Sequence, residues 1–233
     1  LRDPRRDRKS GRVWRILPKG GRPQDPPKIA GASVPQLVEL LKRPEYRYRY
    51  WAKRELRDRD PKVVKEALDK FVKNLDPKDK RFRHHQVEAI WNYRNISAVN
   101  APLLEEVLNC ENHHARAAAT RQLRYWHEEV KNGDAELKKR ANDENGLVRM
   151  EAAIAATYIG TPAALDAVVR ASRKPSTQHL QYAVATAFGA ESIARHWRGD
   201  AAIKAKHPEI DTFMAAFKKS AKRSAGRTVR SAD

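Results

Sequence analysis

The stretch Val148-Arg149-Met150-Glu151-Ala152-Ala153 decides the fold, because its pattern of an arginine followed at a fixed spacing by a small or apolar residue recurs along most of the chain. Four arginines recur at intervals of 34, 33 and 33 residues, and Gln181 follows 32 residues after the last of them. These marker residues are Arg49, Arg83, Arg116 and Arg149. The positions three and seven residues after the five markers are Ala52, Gln86, Ala119, Ala152 and Val184, and Leu56, Ile90, Leu123, Ala156 and Phe188. Since positions i+3 and i+7 share one face of a helix, the recurrence predicts a buried stripe in every repeat.

A second apolar stripe precedes most markers and predicts a partner helix in each repeat. The stripes comprise Val38 and Leu41; Val64, Leu68 and Phe71; Leu104, Val107 and Leu108; and Leu165, Val168 and Val169. Ser33, Asp60, Asn100 and Thr161 each stand one or two residues before a proline, a pattern typical of a capped helix start. The fourth partner helix, near residues 133–143, is the weakest, with Leu137 among alanines. We predict an all-α, right-handed solenoid of about five two-helix repeats over residues 29–200.

The second helix of each repeat resembles that of the HEAT repeat. That helix carries a V-R-x-x-A core with an aspartate shortly before it, which Val148, Arg149, Ala152 and Asp143 match in this chain. In the family the aspartate and arginine form a ladder between neighbouring repeats, and here the aspartate occurs once at the matching spacing. A period of about 33 residues also occurs in ankyrin and tetratricopeptide repeats, but their signature residues are absent. The marker arginines are therefore predicted to be structural.

The first 28 residues differ from the rest. Gly11–Leu17 alternates polar and apolar residues and predicts a short β-strand, and the prolines and glycines of residues 18–27 predict a linker. An isolated strand is not stable, so we expect its partners in an upstream domain or in another chain. The sequence begins with Leu1, and we expect it to be part of a longer polypeptide.

This junction is similar to one found in large secreted bacterial proteins of the membrane-bound dehydrogenase-like type. The similarity lies in Gly11–Ile16, the Pro18-Lys19-Gly20 turn, the proline-rich linker and Ala32–Leu41. In that family a β-propeller is followed by HEAT repeats and then by a cytochrome c domain with a C-x-x-C-H motif. The resemblance implies a non-catalytic spacer in a periplasmic or secreted redox assembly, which binds proteins through a concave face lined by second helices. It places haem c in a linked domain or partner rather than in this chain.

The chain is strongly basic, with a net charge of +19, and this favours acidic partners. Residues 1–28 contribute +7 and residues 204–233, which comprise most of a predicted capping helix and basic tail at 201–233, contribute +5. The central 175 residues contribute the remaining +7, which weakens the case for a solenoid built around a polyanion. Nucleic-acid binding, as in HEAT-like DNA glycosylases, is the alternative function. A lyase acting on a tetrapyrrole carrier is a third possibility, on repeat length alone.

Residues with chemical potential are present but form no known motif. His84-His85 and His113-His114 are adjacent pairs whose side chains point about 100° apart on a helix, so neither pair can chelate a metal ion. Cys110 is the single cysteine, which excludes an intrachain disulfide, and the sequence after it lacks the second cysteine of a haem-attachment motif.

The common catalytic and nucleotide-binding motifs are absent, and no apolar run is long enough to span a membrane. The sequence therefore predicts no catalytic, cofactor-binding or metal-binding residue in this chain, and it leaves open whether the whole protein is an enzyme. Aromatic and basic residues alternate over Tyr46–Arg54, which can bind nucleic acid. Their period of two would scatter them around a helix. Trp51, Trp91, Trp126 and Trp197 stand at different distances from their markers, and all four are predicted to be packing residues.

Overall fold

The computed structural model describes residues 25–217 together with residues 7, 11, 16, 17 and 19–22. All regular secondary structure in these residues is helical. Residues 12–15, the centre of the predicted strand, and the basic tail at 218–233 lie outside the described residues. Gly11, Ile16 and Leu17 are not in a strand, and the described residues supply no second strand to pair with them. The predicted strand is therefore not supported.

Ten helices form five consecutive pairs, and shorter helices follow them. The first helices of the pairs are α1 (Val34–Glu39), α3 (Pro61–Lys73), α5 (Ala101–Leu108), α7 (Gly133–Ala141) and α9 (Pro162–Ser172). The second helices are α2 (Tyr46–Arg57), α4 (Phe82–Asn95), α6 (His113–Trp126), α8 (Gly146–Ile159) and α10 (Gln178–Gly189). A 3₁₀ turn (Leu40–Lys42) extends α1, and the described residues end with α11 (Glu191–Ala194), α12 (Ala201–Lys206) and a helical segment at 209–217.

The helix starts follow the predicted capping chemistry. Ser33 forms a capping box, in which its side chain accepts from the backbone N–H of Gln36 while the Gln36 side chain accepts from the backbone N–H of Ser33. Asp60, Asn100 and Thr161 likewise accept a backbone N–H from the first turn of the helix that each one caps. All four predicted caps are thus confirmed. They fix where the first helices of four of the five pairs begin.

Each pair buries its apolar stripes against the next pair. The second helices pack in the order α2, α4, α6, α8 and α10, while α1 contacts α3 and α7 contacts α9 in the other layer. All ten stripe positions of the second helices are at most 2% exposed, so the predicted stripe is confirmed. The result is one continuous core running along stacked helix pairs, the arrangement of an α-solenoid.

The marker residues are equivalent in four of the five second helices. Arg49, Arg116, Arg149 and Gln181 each stand fourth in their helix, whereas Arg83 stands second in α4. Arg83 therefore does not stand at the helix position of the other markers, which in α4 is held by His85, although Gln86 and Ile90, three and seven residues after Arg83, are buried as predicted. The shift accompanies a longer connection before α4, which spans residues 74–81, compared with 109–112 and 142–145 in the next two pairs.

Candidate functional site

Positive charge is segregated to one helix layer. The five second helices carry eleven lysines and arginines against three acids, whereas the five first helices carry eight of each. The net charge of the second-helix layer is therefore +8 and that of the first-helix layer is zero. We call the exposed surface of α2, α4, α6, α8 and α10 the second-helix face, and it is the candidate functional surface of the chain.

Two buried carboxylates lie beneath this face and bind several of its cations. Glu88 is 2% exposed, and its oxygens lie 2.9 Å from Arg49 Nε and 2.5 Å from Lys53 Nζ. Glu151, also 2% exposed, accepts hydrogen bonds from Arg121 and from Arg124, the latter at 2.7 Å. A buried carboxylate needs such partners because desolvation is otherwise too costly. These four cations are therefore held in fixed positions, and each carboxylate offsets one of the two positive charges bound to it.

A cluster of tyrosines and arginines spans α4, α6 and α8 on the same face. The Arg94 guanidinium lies 3.5 Å from the centroid of the Tyr125 ring, and that of Arg124 lies 5.2 Å from the centroid of Tyr158. The Tyr125 and Tyr158 rings are 6.3 Å apart, and 45% and 60% of the two residues remain exposed. We call Arg94, Arg121, Arg124, Tyr125 and Tyr158 the tyrosine–arginine patch. Its cation–π contacts and its ion pairs with Glu151 hold long side chains in one geometry before any partner binds.

Arginines also connect successive repeats through their turns. Arg116 donates two hydrogen bonds of 3.0 Å to the Asp143 carboxylate of the next repeat, which is the ladder contact that the resemblance to HEAT repeats implies. Its remaining terminal nitrogen donates to the carbonyls of Cys110 and Glu111, six and five residues earlier. The same i−6 and i−5 carbonyl contacts are made by Arg49 and Arg149. These three marker arginines are structural, as predicted.

The Arg116 contact perturbs the ionisation of its partner. Partial burial acts to raise the pKa of Asp143, but hydrogen bonds from Arg116 and from the backbone N–H of Asn145 outweigh burial and lower that pKa below its usual value. Asp143 therefore stays ionised at neutral pH. The other repeat boundaries use different contacts: Arg49 pairs with the buried Glu88, Arg83 bonds to Glu106 at a more exposed position, and Arg149 donates to the Pro175 carbonyl.

Three of the four tryptophans that were predicted to be packing residues are buried or packed against the core, and one is exposed. Trp126 and Trp197 are 4% and 8% exposed, Trp91 packs against the core, and the predicted packing role is confirmed for these three. Trp51 is 48% exposed, so the prediction is wrong for this residue. Trp51 lies on the outer side of α2, because Arg49 and Lys53 turn inward to Glu88 on the side of the helix that also buries Ala52 and Leu56.

The histidines and the cysteine do not form a reactive cluster. His85 is buried against Asp79, with 3.2 Å between Nε2 and a carboxylate oxygen, and burial lowers the pKa of His85. Cys110 is buried and free, and its Sγ donates to the Asn112 carbonyl at 3.5 Å. In the part of the chain that the structure describes, no three His, Cys, Asp or Glu side chains come close enough to hold one metal ion.

Two concave surfaces lie beside α10 and beside α7, and some residues of the second already have structural roles. One groove, of about 330 Å³, lies between α10 and residues 209–217, and Tyr182, Phe213 and Phe217 form its apolar wall. An open cleft beside α7 is lined by basic side chains, among which Arg140 bonds to the Leu108 carbonyl and Arg170 to Asp166. Neither set of lining residues combines a nucleophile with a nearby base, so the geometry directs attention to the second-helix face rather than to a pocket.

The patch was missed in the sequence although a signal for it exists. Tyr125 and Tyr158 both stand nine residues after their markers, Arg116 and Arg149, so the same exposed position recurs in two successive repeats. Glu88 and Glu151 gave no such signal, because they occupy different positions relative to their markers. Only the three-dimensional packing shows that both carboxylates lie under arginines.

Comparison with known families identifies the repeat type. Residues 100–189 match the family model described as HEAT repeats, so this part of the chain is a HEAT-repeat region, as predicted from the second-helix pattern. The matched residues comprise the third, fourth and fifth helix pairs. No curated protein shows significant similarity to the chain. Among the described residues, no helix combines the length and the apolar character needed to cross a lipid bilayer.

Proposed function

We propose that this chain is a non-catalytic HEAT-repeat scaffold that binds a protein partner through its second-helix face. The observation that carries the proposal is the tyrosine–arginine patch, a preorganised and exposed cluster that crosses three successive repeats. HEAT arrays commonly bind other proteins through the extended surface that stacked repeats create. A patch that spans several repeats uses this geometry, because no single repeat could present it.

The composition of the patch favours a protein partner. Tyrosine and arginine are the residues most enriched, together with tryptophan, among those that dominate binding energy at protein interfaces. Tyr125 and Tyr158 offer large rings with few rotatable bonds, and Arg94 and Arg124 are already stacked on them. Ordering these side chains on binding would therefore cost little entropy.

Nucleic-acid binding is the second candidate, supported by the net charge of +8 on the second-helix layer. Phosphate binding needs cations that are available to neutralise it. Arg49 and Lys53 are bound to Glu88, and Arg121 and Arg124 are bound to Glu151. Each buried carboxylate offsets one of the two positive charges bound to it, which weakens the attraction of each group for phosphate. Because these four side chains are already bound to carboxylates, the protein-binding proposal is favoured over nucleic-acid binding.

We further propose that the partner belongs to a dehydrogenase–cytochrome c assembly outside the cytoplasm. This step rests on the similarity of the junction residues, Gly11–Ile16 and Ala32–Leu41, to those of membrane-bound dehydrogenase-like proteins. In this proposal haem c is carried by a linked domain or by the partner, and the repeats act as spacer and docking surface. The coding sequence on either side of this chain tests the context: a propeller before Leu1 or a C-x-x-C-H motif after Asp233 supports it, and an unrelated pair of domains contradicts it.

Site-specific crosslinking tests the docking face itself. A photoreactive phenylalanine analogue replaces Tyr158 on the second-helix face or, as the matched control, Val63 on α3, which is 49% exposed in the other layer. In cells that produce the native protein, we expect crosslinks from position 158 to one polypeptide, and we expect Tyr125→Ala to reduce their yield severalfold. Equal crosslinking from both positions, or crosslinks that disappear on nuclease treatment, would contradict the proposal.

A further inference from the structure

The outer side of α2 carries a second cluster that differs from the tyrosine–arginine patch. Arg47, Tyr50, Trp51 and Arg54 stand at i, i+3, i+4 and i+7, so they lie along one face of the helix. All four are exposed, while Arg49, Ala52 and Leu56 turn to the core on the opposite side. We call these four residues the α2 face.

The arginines of the α2 face have no acidic partner in the described part of the chain. No described carboxylate lies within 4.0 Å of Arg47 or Arg54, and the Arg54 guanidinium lies 5.9 Å from the centroid of the Tyr50 ring. On the inner side of the same helix, Arg49 and Lys53 are both bound to Glu88. The cations on the inner side of α2 are therefore bound to a carboxylate, whereas the arginines on its outer side have no carboxylate partner among the described residues.

The α2 face also exposes more aromatic surface than packing requires. Trp51 is 48% exposed and Tyr50 is 37% exposed, and Tyr46 stacks beside Tyr50 with ring centroids 6.0 Å apart. Exposed aromatic residues grouped with uncommitted arginines are typical of binding surfaces, since each ring has an apolar face that water solvates poorly.

We propose that the α2 face binds an acidic polypeptide segment, in which carboxylates flank an apolar side chain. The carboxylates would pair with Arg47 and Arg54, one turn on either side of the aromatic pair, and the apolar side chain would pack on Tyr50 and Trp51. The inference stands on α2 alone and does not depend on the tyrosine–arginine patch or on the redox assembly. Charge complementarity selects the partner class, because α2 carries five basic residues and one acid.

The position of the available cations favours an acidic peptide over nucleic acid. A nucleic-acid strand lying along the second-helix face would need cations on successive helices. On α4, the next second helix, most residues are buried and Arg94 is stacked on Tyr125. On the second-helix face, the cations that have no carboxylate partner are thus concentrated on α2. A single helix of 12 residues is long enough to bind a short peptide segment.

Fluorescence anisotropy with a defined probe tests this site. The probe is a fluorescein-labelled peptide of 12 residues, the length of α2, that alternates glutamate with leucine. A peptide with glutamine in place of glutamate and a single-stranded DNA of equal charge serve as comparison probes. The variant Arg47→Gln/Arg54→Gln removes two charges from the α2 face, and Lys62→Gln/Lys70→Gln removes two from the exposed side of α3 as the matched control.

We expect the α2 variant to bind the acidic peptide at least about tenfold more weakly than the unaltered chain, which is about 1.4 kcal/mol. The control variant should lie within about twofold of the unaltered chain, and Trp51→Ala should weaken binding severalfold without changing the salt dependence. Three results would each overturn the proposal: no binding of the acidic peptide by the unaltered chain, equal weakening in both charge variants, or tighter binding of the DNA that the α2 variant abolishes.

Discussion

The Arg116–Asp143 contact allows a direct test of what couples neighbouring repeats. We consider the substitution Arg116→Met, which replaces arginine with an unbranched side chain that keeps an apolar stem but has no hydrogen-bond donors. The change deletes two hydrogen bonds to Asp143 and two to the carbonyls of Cys110 and Glu111, all between 2.8 and 3.0 Å. It leaves the Asp143 carboxylate, with a side chain that is 8% exposed, without its cation.

The magnitude follows from burial. Breaking a fully buried ion pair by removing one partner costs about 3–5 kcal/mol. The Arg116 side chain is 17% exposed, so water screens part of the interaction, and we expect the free energy of unfolding to fall by about 2–3 kcal/mol. The control is Arg83→Met, because the Arg83 and Glu106 side chains are 34% and 51% exposed. That substitution should cost about 0–1 kcal/mol.

Urea denaturation followed by circular dichroism measures both values, with the slope of the transition checked for a change in the surface exposed on unfolding. A double-mutant cycle with Asp143→Asn isolates the pair from the carbonyl contacts. We expect a coupling energy of about 1–2 kcal/mol between Arg116 and Asp143. Equal losses in Arg116→Met and Arg83→Met, or a coupling energy near zero, would refute the claim that this ladder contact holds the third and fourth repeats together.

Three further predictions concern ionisation, packing and backbone geometry. The pKa of Asp143 is lowered in the folded chain, so the ionised carboxylate should stabilise the fold fully above about pH 4, and this stabilisation should be lost as the pH falls through the folded pKa. The variant Asp143→Asn should therefore make the urea midpoint less sensitive to acid. An unchanged pH profile would contradict this. Trp51→Ala should change the free energy of unfolding by less than about 0.5 kcal/mol, whereas Trp126→Ala should lower it by about 3–5 kcal/mol, and similar losses would show that Trp51 is not exposed in solution. Gly160 ends α8 with φ +67°, so Gly160→Ala should lower the melting temperature at a cost of about 1–2 kcal/mol, and an unchanged melting temperature would contradict a left-handed end to α8.

The helical repeat was predictable because its signal is local and periodic. The apolar stripes and the cap residues Ser33, Asp60, Asn100 and Thr161 are both read within one or two turns of a helix, and the structure confirms them. The register of α4 was not predictable from the same spacing. The connection before it is longer, and a fixed interval between arginines does not reveal where the extra residues are placed.

The candidate site was harder to predict because it depends on contacts between repeats. The recurrence of tyrosine nine residues after Arg116 and Arg149 was available in the sequence, but its meaning depends on which side of the helix stays exposed. The stacking of Arg94 on Tyr125 joins residues 31 positions apart, and no local pattern indicates it. Helix periodicity alone therefore identified the core and missed the surface.

The same distinction explains why net charge was a poor guide to function. Summed along the chain, the central residues contribute only +7, which suggested that the array itself is not built to bind anions. Layer by layer, the second helices carry a net charge of +8 and the first helices a net charge of zero, and two of the acids already counted in that sum, Glu88 and Glu151, bind four of the cations. What a partner meets is the remainder, and on α2 that remainder includes two arginines beside two exposed aromatic rings. The number of cations in a repeat protein thus matters less than how many of them the fold leaves without a carboxylate.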